Sequence, residues 1–89
     1  MKAAYQPSFI KDLRRLRGHA QYERIHRFVF EDMPGWTSLR DRSQIKCLSA
    51  HDKACRIRVG DYRIGFYCAG EELTFARVLH RREIYRYFP

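Results

Sequence analysis

Residues 55–66 read CRIRVGDYRIGF, running from Cys55 to Phe66 as two alternating runs. The alternation ends at Val59 and resumes at Tyr62, so Gly60 and Asp61 form a two-residue link, with glycine where a type II′ turn needs it. That link sets Val59 opposite Tyr62, Arg58 opposite Arg63 and Arg56 opposite Gly65. One face then carries Cys55, Ile57, Val59, Tyr62, Ile64 and Phe66, and the other carries Arg56, Arg58 and Arg63. The apolar face requires a core. The basic face works against folding, because like charges directly across a strand pair destabilise it. Three guanidinium groups on one rigid hairpin suit the recognition of phosphate, and Gly65 is expected to leave an open floor beside Arg56. A solvated strand face is the alternative.

The neighbouring segments extend this sheet. Beyond Cys68, residues 69–72 reverse the chain and Leu73–Leu79 forms a further strand, with Leu73 opposite Cys68 and Phe75 opposite Phe66. In that register Thr74, Ala76, Val78 and His80 join the arginine face. Arg77 then points inward, which calls for a bulge or an edge position. Ile84 and Phe88 lie one helical turn apart, so a short terminal turn or helix would anchor both and splay Arg81 and Tyr85 outward. Before the hairpin, Ile45–Leu48 begins the sheet and residues 49–53 turn.

Lys2–Tyr5 is a short extended lead-in closed by Pro7. Ser8 is the expected N-cap of a helix whose stripe is Phe9, Leu13 and Leu16, with Lys11, Asp12, Arg14 and Arg15 on its polar side and Gly18 at its end. A second helix is expected from Ala20 to Asp32, with Tyr22, Ile25, Val29 and Met33 as its stripe and Pro34-Gly35 as its stop. Trp36–Ser43 reads as a loop or one irregular turn. Within it Trp36 serves as a lid over the core, or alternatively as a stacking platform for a base. The fold class is α+β: a small antiparallel four-stranded sheet, mixed by its N-terminal strand, packed on a two-helix hairpin. The element order is β-α-α-β-β-β, with a short C-terminal turn or helix.

Eighty-nine residues with 45% hydrophobic content make one domain, residues 1–89, with one core. The net charge of +8 suits nucleic acid or an acidic protein partner. Cys47, Cys55 and Cys68 lack CxxC spacing and fit reduced, buried strand residues in a cytoplasmic protein. No apolar run is long enough to span a membrane. His19, His26, His51 and His80 show no metal-ligand spacing, and the scattered acids do not supply a two-metal centre. No cofactor motif or Ser-His-Asp arrangement is readable. What these residues suit is metal-free phosphoryl chemistry on RNA, whose 2′-OH is its own nucleophile. Arg56, Arg58 and Arg63 would stabilise charge on the phosphate, and Tyr85 or His80 would handle a proton. DNA, lacking the 2′-OH, would not be cut.

The chain resembles the RelE/ParE superfamily of type II toxin–antitoxin toxins. The resemblance rests on Phe9-Ile10-Lys11-Asp12-Leu13-Arg14-Arg15-Leu16, Ile45-Lys46-Cys47-Leu48, Arg56-Ile57-Arg58-Val59-Gly60-Asp61-Tyr62-Arg63-Ile64 and Val78-Leu79-His80-Arg81-Arg82-Glu83-Ile84-Tyr85, in that order. It implies a sheet backed by two helices, a concave basic face, and a cognate antitoxin whose acidic segment covers that face in a hetero-oligomer. The RelE branch cleaves messenger RNA on the ribosome without metal. Its basic pair falls on Arg56 and Arg58, its post-turn arginine on Arg63, its later arginine on Arg81, and its C-terminal tyrosine on Tyr85. That branch commonly has lysines where Arg56 and Arg58 stand, and arginine stays protonated, so neither serves as a general base. Lys46, Lys53, Arg82 and Arg86 are expected to add RNA contacts. The ParE branch keeps the fold and inhibits DNA gyrase without nuclease chemistry. That activity, or RNA binding without cleavage, is the alternative.

Overall fold

The computed structural model describes residues 1–37, 44–48 and 53–89. Its strands are β1 (Lys2–Tyr5), β2 (Ile45–Cys47), β3 (Ala54–Val59), β4 (Tyr62–Ala69) and β5 (Glu72–His80), and its helices are α1 (Pro7–Arg15), α2 (Tyr22–Arg27) and α3 (Ile84–Tyr87). The five strands form one sheet in the order β1-β5-β4-β3-β2, with β1 parallel to β5 and the other pairs antiparallel. The sheet therefore has five strands rather than four. The segment expected to begin the sheet is present as the three-residue β2, which pairs with β3, and counting it together with β1 and the three later strands makes five. Residues 49–52 of the Ser49–Lys53 turn, His51 among them, and residues 38–43 of the Trp36–Ser43 loop lie outside the described residues.

The central hairpin has the expected register, with Arg56 paired to Gly65, Arg58 to Arg63 and Val59 to Tyr62. Gly60 has a φ of +60°, and Asp61 does not share that sign, as a type II′ turn requires. The apolar face of the hairpin packs under the helices. Phe9, Leu13, Leu16, Ile25, Val29 and Met33 meet Cys55, Ile57, Val59, Ile64, Phe66, Leu73, Phe75 and Val78 in the main core. Trp36 packs over this core, edge-on to Phe28.

Both helices differ in detail from expectation. α1 opens on Pro7 after Gln6, and the Ser8 hydroxyl donates to the Ala76 carbonyl instead of capping the helix. Asp12 is buried rather than on the polar side: α1 lies against β5, and Arg77 reaches the Asp12 carboxylate with Nε at 2.7 Å and Nη2 at 3.1 Å. α2 starts at Tyr22 and passes into a π-helical turn at Phe28–Asp32 and a 3-10 turn at Met33–Gly35. Its stripe of Ile25, Val29 and Met33 is buried as the spacing predicts.

The β4–β5 register shifts between Gly65 and Phe66, opposite Ala76–Arg77. Up to Phe75 the pairing is as expected; beyond the irregularity the faces exchange. Val78 enters the main core, and His80 pairs with Tyr62 on the helix side of the sheet, not beside the arginines. Gly65 is no open floor either. A small second core of Ala54, Ala76, Ile84 and Phe88 forms on the arginine side of the sheet, and the Phe88 ring lies directly on Gly65. The cysteines also depart from the reduced state: Cys47 and Cys55, paired directly across β2 and β3, are joined by a disulfide, and Cys68 alone is free. The expected strand at Ile45–Leu48 and turn at 49–53 already set these two cysteines opposite each other, so the departure lies in their oxidation and not in their placement. Among the described residues no helix is long and apolar enough to cross a membrane.

Candidate functional site

The hairpin and α3 together build a concave basic site. β3 alternates, so Arg56 and Arg58 share the face away from the main core, and the tight turn returns Arg63 opposite Arg58. α3 is held on the same face by Ile84 and Phe88 in the second core, which leaves Tyr85 between them exposed. The phenol ring of Tyr85 lies 4.3 Å from the Arg56 guanidinium carbon, a cation–π contact that orients both groups. Lys46 enters from β2, whose pairing sets it opposite Arg56. Gln44, Lys46, Arg56, Arg58, Arg63 and Tyr85 line one cavity of about 290 Å³.

Arg63 is fixed by its own turn, with Nη1 donating to the carbonyls of Gly60 at 3.1 Å and Tyr62 at 3.0 Å. These acceptors are neutral, so they orient the guanidinium without an anion to compensate it. Arg81 follows β5 and lies beside the turn, its N–H donating to the Asp61 carbonyl at 2.8 Å and its Nε standing 3.8 Å from the Asp61 carboxylate. It lines a neighbouring cavity with Arg24, Gln44, Arg58, Gly60, Asp61 and Arg63 rather than the Tyr85 cavity.

Of the candidates read from the sequence, Lys46, Arg56, Arg58, Arg63 and Tyr85 thus meet in one cavity, and Arg81 borders the next. His80 is turned away: its ring is edge-on to Tyr62 at 5.7 Å, and its Nδ1 accepts the Arg82 backbone N–H at 3.2 Å. Lys53, Arg82 and Arg86 are exposed and line none of the cavities just described. Sequence reading missed Gln44 and Arg24. Gln44 carries no chemical signature and is placed by β2, while Arg24 looks like an ordinary solvent-facing helix residue until the tertiary fold sets α2 beside β3.

Comparison with known proteins agrees with this architecture. Residues 4–85 match the family model described as the ParE toxin of the type II toxin-antitoxin system parDE. Toxin RelE3 of Methanocaldococcus jannaschii is 41% identical over 90 residues, covering both chains in full. A crystal structure of the RelB–RelE antitoxin–toxin complex from Methanococcus jannaschii contains a chain that superposes with a TM-score of 0.77 at 38% identity, covering 97% of this chain and 99% of that one. The toxin–antitoxin complex RelBE2 of Mycobacterium tuberculosis shares the fold, with a TM-score of 0.68 at 20% identity over 90% of this chain and 96% of that one. With a family match across most of its length and a relative alike from end to end, the chain belongs to the RelE/ParE superfamily of type II toxin–antitoxin toxins.

Proposed function

We propose that this toxin is a ribosome-dependent endoribonuclease that cleaves messenger RNA, using no metal ion and acting in the cytoplasm as a single domain. The observation that carries the reading is the cavity in which Lys46, Arg56, Arg58, Arg63 and Tyr85 converge. In the reaction the 2′-oxygen of a nucleotide attacks the adjacent phosphorus and the bond to the 5′-oxygen breaks. The products are a 2′,3′-cyclic phosphate and a 5′-hydroxyl end. One proton leaves the 2′-OH and one is delivered to the 5′-oxygen. The guanidinium groups stabilise the extra negative charge on the pentacoordinate phosphate, and their fixed orientation spares reorganisation during the step. Being permanently protonated, they do not remove the 2′ proton. Tyr85 is the proton-transferring side chain inside the cavity, with groups of the ribosome and its RNA as its counterparts. Arg81, beside the turn, adds charge at the entrance. The RelB–RelE complex of Methanococcus jannaschii supports a cognate antitoxin for this chain as well, and the net charge of +8 is what suggests that an acidic segment of it lies across the arginine face.

Gyrase inhibition is the second reading, and the matching family model, that of a ParE toxin, is what favours it. The test is a primer-extension map of a defined message, translated in vitro with the protein and incubated in parallel without ribosomes. Cuts that require ribosomes and disappear in Arg63→Ala, with antitoxin binding intact, are expected. Absence of cuts in both arms, with toxicity retained, would overturn cleavage and direct a supercoiling assay at the alternative.

A further inference from the structure

The basic surface does not stop at the Tyr85 cavity. Gln44 and Arg58 line that cavity and also two others. One runs toward Asp61 and Arg81, and the other, of about 220 Å³, runs toward α2, where Arg24, Arg27, Phe28 and Asp32 complete its wall with Val59. Arg24 is shared by these two outer cavities. Arg58 and Gln44 are therefore common to the walls of all three adjoining spaces, which together make one basic surface. Seven basic residues line it (Arg24, Arg27, Lys46, Arg56, Arg58, Arg63 and Arg81) against two acids, Asp32 and Asp61.

Arg24 and Arg27 stand three residues apart and so project from neighbouring positions on one side of α2. Basic residues in a last helical turn are often explained by the negative end of the helix dipole. Here that explanation fails, because the backbone continues helically through Phe28–Asp32 and on to Gly35, and the carbonyl end lies well beyond Arg27. Among the described residues the ion pairs are Arg77–Asp12 and Arg81–Asp61, and neither involves α2. Phe28, half-buried and edge-on to Trp36 at 5.4 Å, places an aromatic ring beside the two arginines. A basic groove with an aromatic side chain along it is the arrangement that holds single-stranded nucleic acid.

We infer that Arg24 and Arg27 form a second RNA-phosphate subsite, reached from the Tyr85 cavity past Arg58, with Phe28 contacting a base or ribose there. The inference rests on the RNA reading of the arginine cavity and adds a binding element outside the reacting centre. The ligand is an RNA phosphodiester, supplied either by the message continuing out of the cavity or by ribosomal RNA alongside it.

The experiment compares the unsubstituted protein with Arg24→Gln/Arg27→Gln and with Arg24→Lys/Arg27→Lys, each checked for an unchanged thermal midpoint. Message cutting on programmed ribosomes is followed against protein concentration at several salt concentrations. For the glutamine variant the half-saturating concentration is expected to rise about tenfold, with the saturating cut rate within about twofold, and the log–log salt slope is expected to fall by about one to two contacts' worth. The lysine variant should recover most of the affinity, since charge is what the subsite supplies. Co-sedimentation with ribosomes separates the sources: weakening only when message is present identifies the message strand, and weakening on vacant ribosomes identifies ribosomal RNA. Unchanged half-saturation and salt slope in the glutamine variant would overturn the subsite. If the unsubstituted protein binds ribosomes but cuts nothing, the cleavage reading falls while the salt slope of binding still decides the subsite. If it binds neither ribosomes nor RNA, both fall.

Discussion

Replacing Gly65 by alanine tests how the fold holds Tyr85 in place. Gly65 lies on β4 between Arg56 and Arg77, and a Cβ built on it would stand 2.5 Å from both Cγ and Cδ2 of Phe88 and 2.9 Å from Cδ1. Ordinary contact begins near 3.4 Å, so the ring must retreat by about 1 Å or the strand must move. The contact involves the root of the ring, which cannot swing aside by changing its own χ2 alone. Relief therefore has to come from α3, four residues long and seated in the second core by Ile84 and Phe88. Overpacking of this kind costs about 2 kcal/mol, which for a domain of this size lowers the melting midpoint by about 10 °C. Tyr85 moves with the helix and loses its position over Arg56; on the cleavage reading proposed above, a misplacement of about 1 Å there lowers cutting about 10- to 100-fold. The assay is a double-mutant cycle in urea. Phe88→Ala alone should cost about 3 kcal/mol, because that ring is buried. Adding Gly65→Ala to it should cost almost nothing, giving a coupling of about 2 kcal/mol. Costs that add to within about 0.5 kcal/mol would refute the view that Gly65 is glycine because Phe88 occupies its side-chain space.

Asp12→Ala strands the Arg77 guanidinium and the Val78 N–H, both of which donate to that buried carboxylate. Arg77 is partly solvated, so the expected loss is about 3 kcal/mol by urea unfolding, at the low end for broken buried pairs, with Asp12→Asn losing roughly half as much. The Cys47–Cys55 disulfide closes a loop of separation 8, and loop-closure entropy gives about 2.5 kcal/mol for such a ring. Thermal melts with and without reductant should differ by about 10 °C or more, and a Cys47→Ser variant should no longer respond to reductant. Burial pushes the Tyr5 phenol up from its ordinary value while its hydroxyl donates to the Val29 carbonyl at 2.7 Å. The folded state therefore holds that proton more tightly than the unfolded chain. The resulting stability is fully present below the ordinary tyrosine range and is lost as pH rises through the folded value. Alkaline melts of Tyr5→Phe should lack this decline, and an identical decline in both proteins would place it elsewhere.

What was readable in the sequence followed from period and turn chemistry. The hairpin register came from one glycine and a strict alternation, which allow a single pairing and so fix Arg56, Arg58 and Arg63 on one face. The terminal turn followed from Ile84 and Phe88 alone. The misplaced residues trace to long-range partners. An inward Arg77 signalled an irregularity, but not on which strand the face would change, and that choice decides where Val78 and His80 point. Asp12 looked solvent-facing because a helix wheel has no knowledge of Arg77, 65 residues away. Gly65 looked like open space because the ring that fills it comes from a different element. The disulfide was missed for a different reason: an odd number of cysteines without CxxC spacing reads as reduced thiols, although strand, turn and strand already set Cys47 opposite Cys55.

The arginines of this chain separate into two kinds by what holds them. Arg77 is oriented by a carboxylate, so its charge is compensated, and the pair serves to pin α1 to β5. Arg56 is oriented by the face of Tyr85 and Arg63 by two backbone carbonyls, partners that fix direction without cancelling charge. Arg81 lies between the two cases, with a loose and well-exposed contact to Asp61. A fold selecting only for stability would place acids across from Arg58 and Arg56. Here Arg63 stands opposite Arg58 and Lys46 opposite Arg56. The repulsion is kept, the side chains are held still, and the field over the cavity is positive before any ligand arrives. That is the condition under which a site binds a developing negative charge more strongly than it binds the ground state, because the cost of gathering like charges has been met in folding.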